Sequence, residues 1–378
     1  MNVFYTAGSR IPSETANSVH VMKMSEAFAA NGVTTTLLVP NYPNVFQIPE
    51  SPLDFYGIEH PFELQKITRI KSTSHIFNWL FAYFCTLKIR KSNKNVLMTR
   101  HPMSAGICIL LGIPTILELH NRLMGMDNRF FRTLGLFRKR SLLKVVVISQ
   151  KLKSIIQEEY GLDEHQLLVL PDGVTMAPFE KAVKKPLFDK DRLQVTYIGS
   201  LYKGRGIELI IEMAKQDRDN DYHIYGGREH EIEDWRKYVV ENNLGNVVFH
   251  GFIPNKDVPQ ILCQADVLLM PYQKKVTIAN AGDSSTWMSP MKMFEYMASG
   301  RLVMSSDMPV LREVLTDDNS ILLPSDQPEQ WVKAIRRISQ EKEHHRAMAQ
   351  RAYDDVQQYT WKKRAEKLLS QFQQSSLN

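Results

Sequence analysis

Ser289-Pro-Met-Lys-Met-Phe-Glu-Tyr-Met-Ala-Ser-Gly300, continuing into Arg301-Leu-Val-Met-Ser-Ser-Asp307, reads as a short helix, a stop and a strand. Ser289 with Pro290 forms a cap and first-turn pair: a serine oxygen accepts from free N–H groups, and proline loses no hydrogen bond there. Met293, Phe294 and Met297 recur at helical spacing and supply a buried face. Gly300 stops the helix, and Leu302–Ser305 follows as a strand. Glu295 is thereby set in a helix among hydrophobic neighbours, where a half-buried carboxylate needs partners. Two ribose hydroxyls would serve. The helix start, with its free N–H groups and positive dipole end, suits a diphosphate.

The same strand–helix alternation extends through the chain in both directions. Val3–Tyr5, Thr34–Val39, Val96–Thr99, Thr115–Leu119, Val145–Ile148 and Leu167–Leu170 read as strands with helical patterns between most of them. Pro171-Asp172-Gly173 is a turn signal, and 174–191 lacks a clear period. A second series has strands at Gln194–Ile198, Tyr222–Tyr225, Val247–His250, Val267–Met270, Leu302–Ser305 and Ile321–Leu323, then helices from about 327. Repeated βαβ units with buried strands mean parallel, doubly wound sheets. The expectation is an α/β protein of two Rossmann-like halves facing across a cleft. The first spans 1–175, the linker 176–191 and the second 192–355, with a terminal helix at about 356–378 packing back on the first half. Ligands of such sheets bind beyond the carboxyl ends of the strands.

With 378 residues, 43% of them hydrophobic and 23% charged, the chain can bury a large core without disulfides. Cys85, Cys108 and Cys263 sit among apolar neighbours without close spacing, which points to inert buried thiols. No basic leader with a cleavage site precedes the first strand pattern, and no apolar run reaches bilayer-spanning length. A cytoplasmic protein is expected, peripheral on the inner face of the membrane. Over residues 1–150, 17 Lys and Arg face 8 Asp and Glu, a net +9; the remainder carries 30 against 33, a net −3. The basic half favours anionic partners. Two basic, aromatic stretches carry this charge. One is 66–100, with Phe77, Trp79, Phe81, Tyr83, Phe84, Lys88, Arg90, Lys91 and Lys94. The other is 129–140. Such faces dock on anionic lipid. No nucleic-acid motif occurs, so a nucleic-acid partner is not expected.

The segment 289–300 resembles the donor-site signature of retaining glycosyltransferases of family 4, which have the GT-B fold. Four other pieces agree in order. Tyr197-Ile-Gly-Ser-Leu-Tyr-Lys-Gly-Arg-Gly-Ile-Glu-Leu-Ile resembles the opening strand, glycine loop and helix of the family's second domain. Val147-Ile-Ser149 with Leu170-Pro-Asp-Gly-Val174 resembles the end of its first. Ala265-Asp-Val-Leu-Leu-Met-Pro271 resembles the strand before the donor loop, and 12–38 the first βαβ unit.

The resemblance implies a glycosyltransferase of the hexosyltransferase type, moving a sugar from a nucleotide-sugar to a saccharide or lipid-linked acceptor in envelope polysaccharide synthesis, with retention and without metal. Glu295 would hold the donor ribose. Gly199, Ser200, Lys203, Arg205, Asp283, Ser285, Ser289, Met291 and Lys292 would bind the donor with it, the cations among them meeting the diphosphate. The family's first glutamate falls at Trp287 here, and its loop arginine at Ser200; Asp283 or Ser285 is the candidate replacement for the former, Lys203 or Lys292 for the latter. Arg205 stands at the family's lysine position. His120 matches the histidine that contacts the transferred sugar, with Glu118 on the same face of its strand. Gly8 and Ser9 match the loop near diphosphate and acceptor. His120, Glu295 and Arg205 would carry catalysis. Asp189/Asp191 and Asp217/Asp219 mimic metal pairs but read as solvated charge, as does His344-His345. A nucleotide-sugar epimerase of the same fold, or a non-catalytic partner subunit, is the alternative.

Overall fold

A computed structural model of the chain describes residues 1–42, 47–48, 50–69, 75–90, 95–278 and 282–375. Its contacts divide the chain into two units, Met1–Asp172 with Trp361–Asn378, and Gly173–Thr360. The basic-stretch residues Lys91 and Lys94 lie outside the described residues.

In the first unit, strands β1 (Asn2–Thr6), β2 (Thr34–Asn41), β3 (Glu63–Arg69), β4 (Asn95–Thr99), β5 (Thr115–Leu119), β6 (Leu142–Val147) and β7 (Leu167–Val169) form a parallel sheet. Its order is β3-β2-β1-β4-β5-β6-β7. The order reverses between β1 and β4, where Tyr5 pairs with Leu37 on one side and Met98 on the other. Every residue of β4 and β5 is buried, as parallel strands covered on both faces must be. The helix Trp361–Ser375 belongs to this unit and packs on the helix Ala16–Ala30, whose residues Ser18 to Phe28 are all buried. Strand β3 was not foreseen. Its sequence Glu-Leu-Gln-Lys-Ile-Thr-Arg has only two apolar residues, three apart rather than alternating, and it sits at the sheet edge, where charge is tolerated.

In the second unit, β8 (Gln194–Ile198), β9 (Asp221–Tyr225), β10 (Val247–Gly251), β11 (Val267–Met270), β12 (Thr277–Ile278), β13 (Gly282–Asp283), β14 (Leu302–Ser306) and β15 (Ile321–Leu323) follow. Six make a parallel sheet in the order β10-β9-β8-β11-β14-β15; β12 and β13 pair as a small antiparallel ladder. Two apolar clusters belong to this unit, one including Ile210, Tyr222 and Trp331, the other Leu268, Met293, Phe294 and Met297. The stretch read as a linker lies within this unit, carries the helix Ala177–Lys181 and buries Phe188.

Two polar pairs depart from expectation. Asp217 is buried, because Tyr222 and Asn220 donate to its Oδ2 at 2.8 and 2.9 Å. His345 is buried too, its Nδ1 2.9 Å from the Glu341 carbonyl of its own helix. All three cysteines are buried and free.

Candidate active site

The donor signature forms the helix Met291–Ser299. It starts one residue later than expected: Pro290 is its cap, without a side-chain hydrogen bond, and Gly300 closes it at φ +66°. Tyr296, fully buried, ties this helix to β8, accepting from the Ile198 N–H at 2.8 Å and donating to its carbonyl at 3.3 Å. Phe294 and Met297 on the same helix enter the core. Lys292 and Glu295 are thus fixed at the carboxyl ends of β8 and β11, beside the reversal of strand order.

The glycine loop brings Arg205 to the same place. Gly206, at φ +84°, lies so close to β11 that a Cβ there would stand 1.9 Å from the Pro271 carbonyl. No other residue fits that approach. Arg205 therefore lies over Tyr272, its guanidinium carbon 5.3 Å from the ring centroid, with Nε buried and unpartnered among the described residues. Lys292 Nζ stands 4.0 Å from the Tyr197 ring centroid and 5.2 Å from that of Tyr272. A Cβ on Gly199 would come within 2.7 Å of this ammonium. Burial drives the Lys292 ammonium well below the usual lysine range, Arg205 adds to the effect, and Glu295 opposes it. Among the described residues neither Lys292 nor Arg205 pairs with a carboxylate. The result is two crowded cations at a helix start, an arrangement suited to a diphosphate.

The remaining donor-side candidates divide. Glu295 is half-buried and accepts from Asn255 Nδ2 at 3.5 Å. Ser200 offers its carbonyl to the Tyr197 hydroxyl at 2.7 Å, whereas Lys203 is exposed. Asp283 Oδ1 accepts from the N–H groups of Val276 and Ser285 at 3.0 and 2.9 Å, tying the β12–β13 ladder. Desolvation works to raise its pKa, but those two donors outweigh it and leave it lowered. Ser285 is buried, and Ser289 and Met291 are half-buried beside Trp287.

In the first unit, His120 follows β5 and Glu118 lies within it. Glu118 Oε1 receives three groups: His120 Nε2 at 2.9 Å, His20 Nε2 at 3.1 Å and Arg364 Nη2 at 2.6 Å. The Tyr5 hydroxyl donates to Oε2 at 3.3 Å. His20 Nδ1 lies 3.0 Å from Asp172 Oδ1. Burial alone would raise the Glu118 pKa; Arg364 foremost and then His20 hold it well below the carboxylate range. Burial, with Arg100 nearby, lowers His120 to about 4, so its ring is neutral near pH 7. The ligand atoms of His20, His120 and Asp172 all lie within 4.8 Å of one another, a spacing that would admit a metal. The guanidinium of Arg364 already supplies the cation these carboxylates need, and a divalent ion beside it would meet strong repulsion. Beyond β1, Gly8 is exposed and accepts from the Tyr42 hydroxyl at 3.4 Å. Ser9 is buried with its hydroxyl unpartnered among the described residues, as is Nη1 of Arg100. Sequence reading missed His20, Arg100, Asp172 and Arg364.

A sequence model described as Glycosyltransferase Family 4 matches residues 18–177, and one described as Glycosyl transferase-like matches 205–370. The chain belongs to the GT-B glycosyltransferases. This enzyme is 22% identical over 343 residues to an uncharacterized glycosyltransferase of Methanocaldococcus jannaschii, covering 86% of this chain and 79% of that one. Its fold matches Anabaena HepE, solved in complex with UDP and glucose, at TM-score 0.70 and 13% identity over 98% and 99% of the two chains. It also matches the apo form of the lipopolysaccharide outer core galactosyltransferase WaaB, at TM-score 0.67 and 13% identity over 99% of each. Among the enzyme's described residues no helix is long and apolar enough to cross a membrane.

Proposed function

We propose that this glycosyltransferase takes a hexose from a UDP-hexose and passes it, with retention, to a saccharide or lipid-linked acceptor of the cell envelope. The observation that carries the donor half is the pair of half-buried cations, Lys292 and Arg205, crowded over Tyr197 and Tyr272 and neither paired with a carboxylate among the described residues. Charge withdrawn from water without a partner is costly, and an arriving anion relieves that cost. Glu295, one helical turn beyond Lys292, is placed to accept hydroxyls of the nucleoside sugar. HepE, of the same fold, was solved with UDP, which favours uridine as the base.

In the reaction the bond from the sugar C1 to the β-phosphate oxygen breaks and a bond from C1 to the acceptor oxygen forms. The acceptor proton passes to a phosphate oxygen on the same face. Lys292, Arg205 and the helix N–H groups stabilise the negative charge that grows on the leaving diphosphate. His120 contacts the transferred sugar. No metal is required, because the cations are supplied by side chains; activity retained in chelator would bear this out.

The envelope acceptor draws support from WaaB and from a face of the first unit. The helix His75–Arg90 buries Phe81, Cys85 and Ile89, yet exposes Ile76, Trp79, Leu80, Tyr83, Phe84 and Leu87 along one stripe. Lys88, Arg129, Arg132, Arg138, Lys139 and Arg140 are exposed as well. An apolar stripe with cations suits an anionic bilayer surface. Flotation with anionic vesicles should carry the protein up, and no flotation would remove the membrane part.

A thermal-shift panel of UDP-, GDP- and ADP-hexoses tests the donor. Wild type should be stabilised by the UDP compound and Glu295→Ala less so. Equal shifts in both proteins would sink the role of Glu295, and no shift with any donor would sink the donor assignment.

A further inference from the structure

The polar cluster around Glu118 holds more charge than a strand interior needs. Glu118 sits in a fully buried strand, Arg364 comes from the last helix, His20 from the first, and Asp172 from the end of the first stretch of the unit. Arg364 is pinned further by the carbonyls of Pro171 at 2.9 Å and Leu170 at 3.2 Å. The His20 ring is clasped edge-to-face by Trp361, at 5.0 Å between centroids, and by His120, at 4.9 Å. Only His120 of this group reaches solvent appreciably, with 18% of its side chain exposed.

We infer that Glu118, held by Arg364 and His20, is a positioning residue that locks His120 as the Nε2–H tautomer, so that its bare Nδ1 accepts a hydrogen bond from a hydroxyl of the transferred sugar.

The argument is one of donors and acceptors. An ionised carboxylate only accepts. Its contact with His120 at 2.9 Å therefore requires the proton on Nε2. A neutral imidazole carries one proton, which leaves Nδ1 as an acceptor. Arg364, the strongest favourable influence on Glu118, keeps the carboxylate charged despite burial. The charged and titratable groups facing His120 are Glu118, His20 and Arg100, with Asp172 and Arg364 behind them. A ring locked this way selects a substrate group that donates, which a hydroxyl does. A histidine free to exchange tautomers would meet donors and acceptors alike.

The inference rests on His120 touching the sugar, and its test separates the two claims. Protein labelled with 15N-histidine has 11 histidines, and His120→Gln identifies the signals of His120 by their loss. At pH 7 wild type should show a pyrrole-type Nε2 and a pyridine-type Nδ1 at His120. Adding UDP-glucose should shift Nδ1 toward the hydrogen-bonded position. A protonated Nδ1, or a mixture of tautomers, in the free enzyme overturns the lock. A bare Nδ1 unmoved by a donor that does bind overturns the sugar contact. Glu118→Gln keeps the shape and removes the charge. It should yield mixed tautomers and lower kcat about 10- to 100-fold with the donor KM little changed. Arg364→Lys keeps the charge and should retain the wild-type tautomer even if Glu118→Gln fails to fold. Loss of the tautomer in Arg364→Lys would overturn the account of what holds Glu118.

Discussion

The two polar clusters of this enzyme are built on opposite principles. Around Glu118 in the first unit, carboxylates, guanidinium and imidazoles meet one another at 2.6–3.1 Å. Around Lys292 in the second, two cations crowd the faces of Tyr197 and Tyr272 with no paired carboxylate among the described residues. In the first cluster each carboxylate has cationic or imidazole partners within the chain. The second lacks such partners among the described residues, which is what the proposed diphosphate would supply. Burial shifts act accordingly: Glu118 stays charged because its neighbours overcome desolvation, while Lys292 loses affinity for its proton because its neighbours reinforce it.

Glu118→Ala would break the contrast most severely. It strands the Arg364 guanidinium in the interior, and unfolding in urea should show a loss of about 3–5 kcal/mol. A loss below about 1 kcal/mol would mean the cluster behaves as a surface ion pair. Gly206→Ala attacks the other side. Its Cβ would collide with the Pro271 carbonyl at a backbone angle that side chains rarely adopt. A loss of about 1–3 kcal/mol is expected, with weaker UDP binding because Arg205 is displaced. Full UDP affinity in that variant would show that the loop does not set the site.

Acidity sharpens the contrast further. The folded pKa of Glu118 lies below its ordinary 4.5, so its stabilisation is complete above that value and drains away as pH falls below it. The folded pKa of Lys292 lies below 10.5, so between the two values the unfolded chain binds more protons and stability rises with pH. A bound diphosphate opposes the second effect, because its negative charge favours the protonated ammonium. The smallest change expected is Lys203→Ala, an exposed residue, at within about 0.5 kcal/mol in stability.

Much of the fold was legible because parallel strands buried on both faces are written as runs such as Val145-Val-Val and Val267-Leu-Leu-Met270. Strand β3 was not, since an edge strand with mostly polar residues and no period-two pattern resembles a loop. The local shape of the candidate donor segment was legible because its parts are contiguous, a glycine loop and a helix stopped by Gly300, although Pro290 rather than Ser289 stands at its cap. The Glu118 cluster was not, because 113 to 246 residues separate Glu118 from Tyr5 and Arg364, and only folding joins them. His20 gave no local sign, as its helix is buried all round and shows no polar face. Asp217 was misread as solvated although its donors, Asn220 and Tyr222, stand three and five residues on.

The central claim is that the paired cations of the second unit await a nucleoside diphosphate. Isothermal titration of UDP into wild type and Lys292→Met tests it most directly. The substitution should leave the empty protein as stable as before or more so, while UDP affinity falls about tenfold or more, ~1.4 kcal/mol. Unchanged UDP affinity in Lys292→Met would contradict the account.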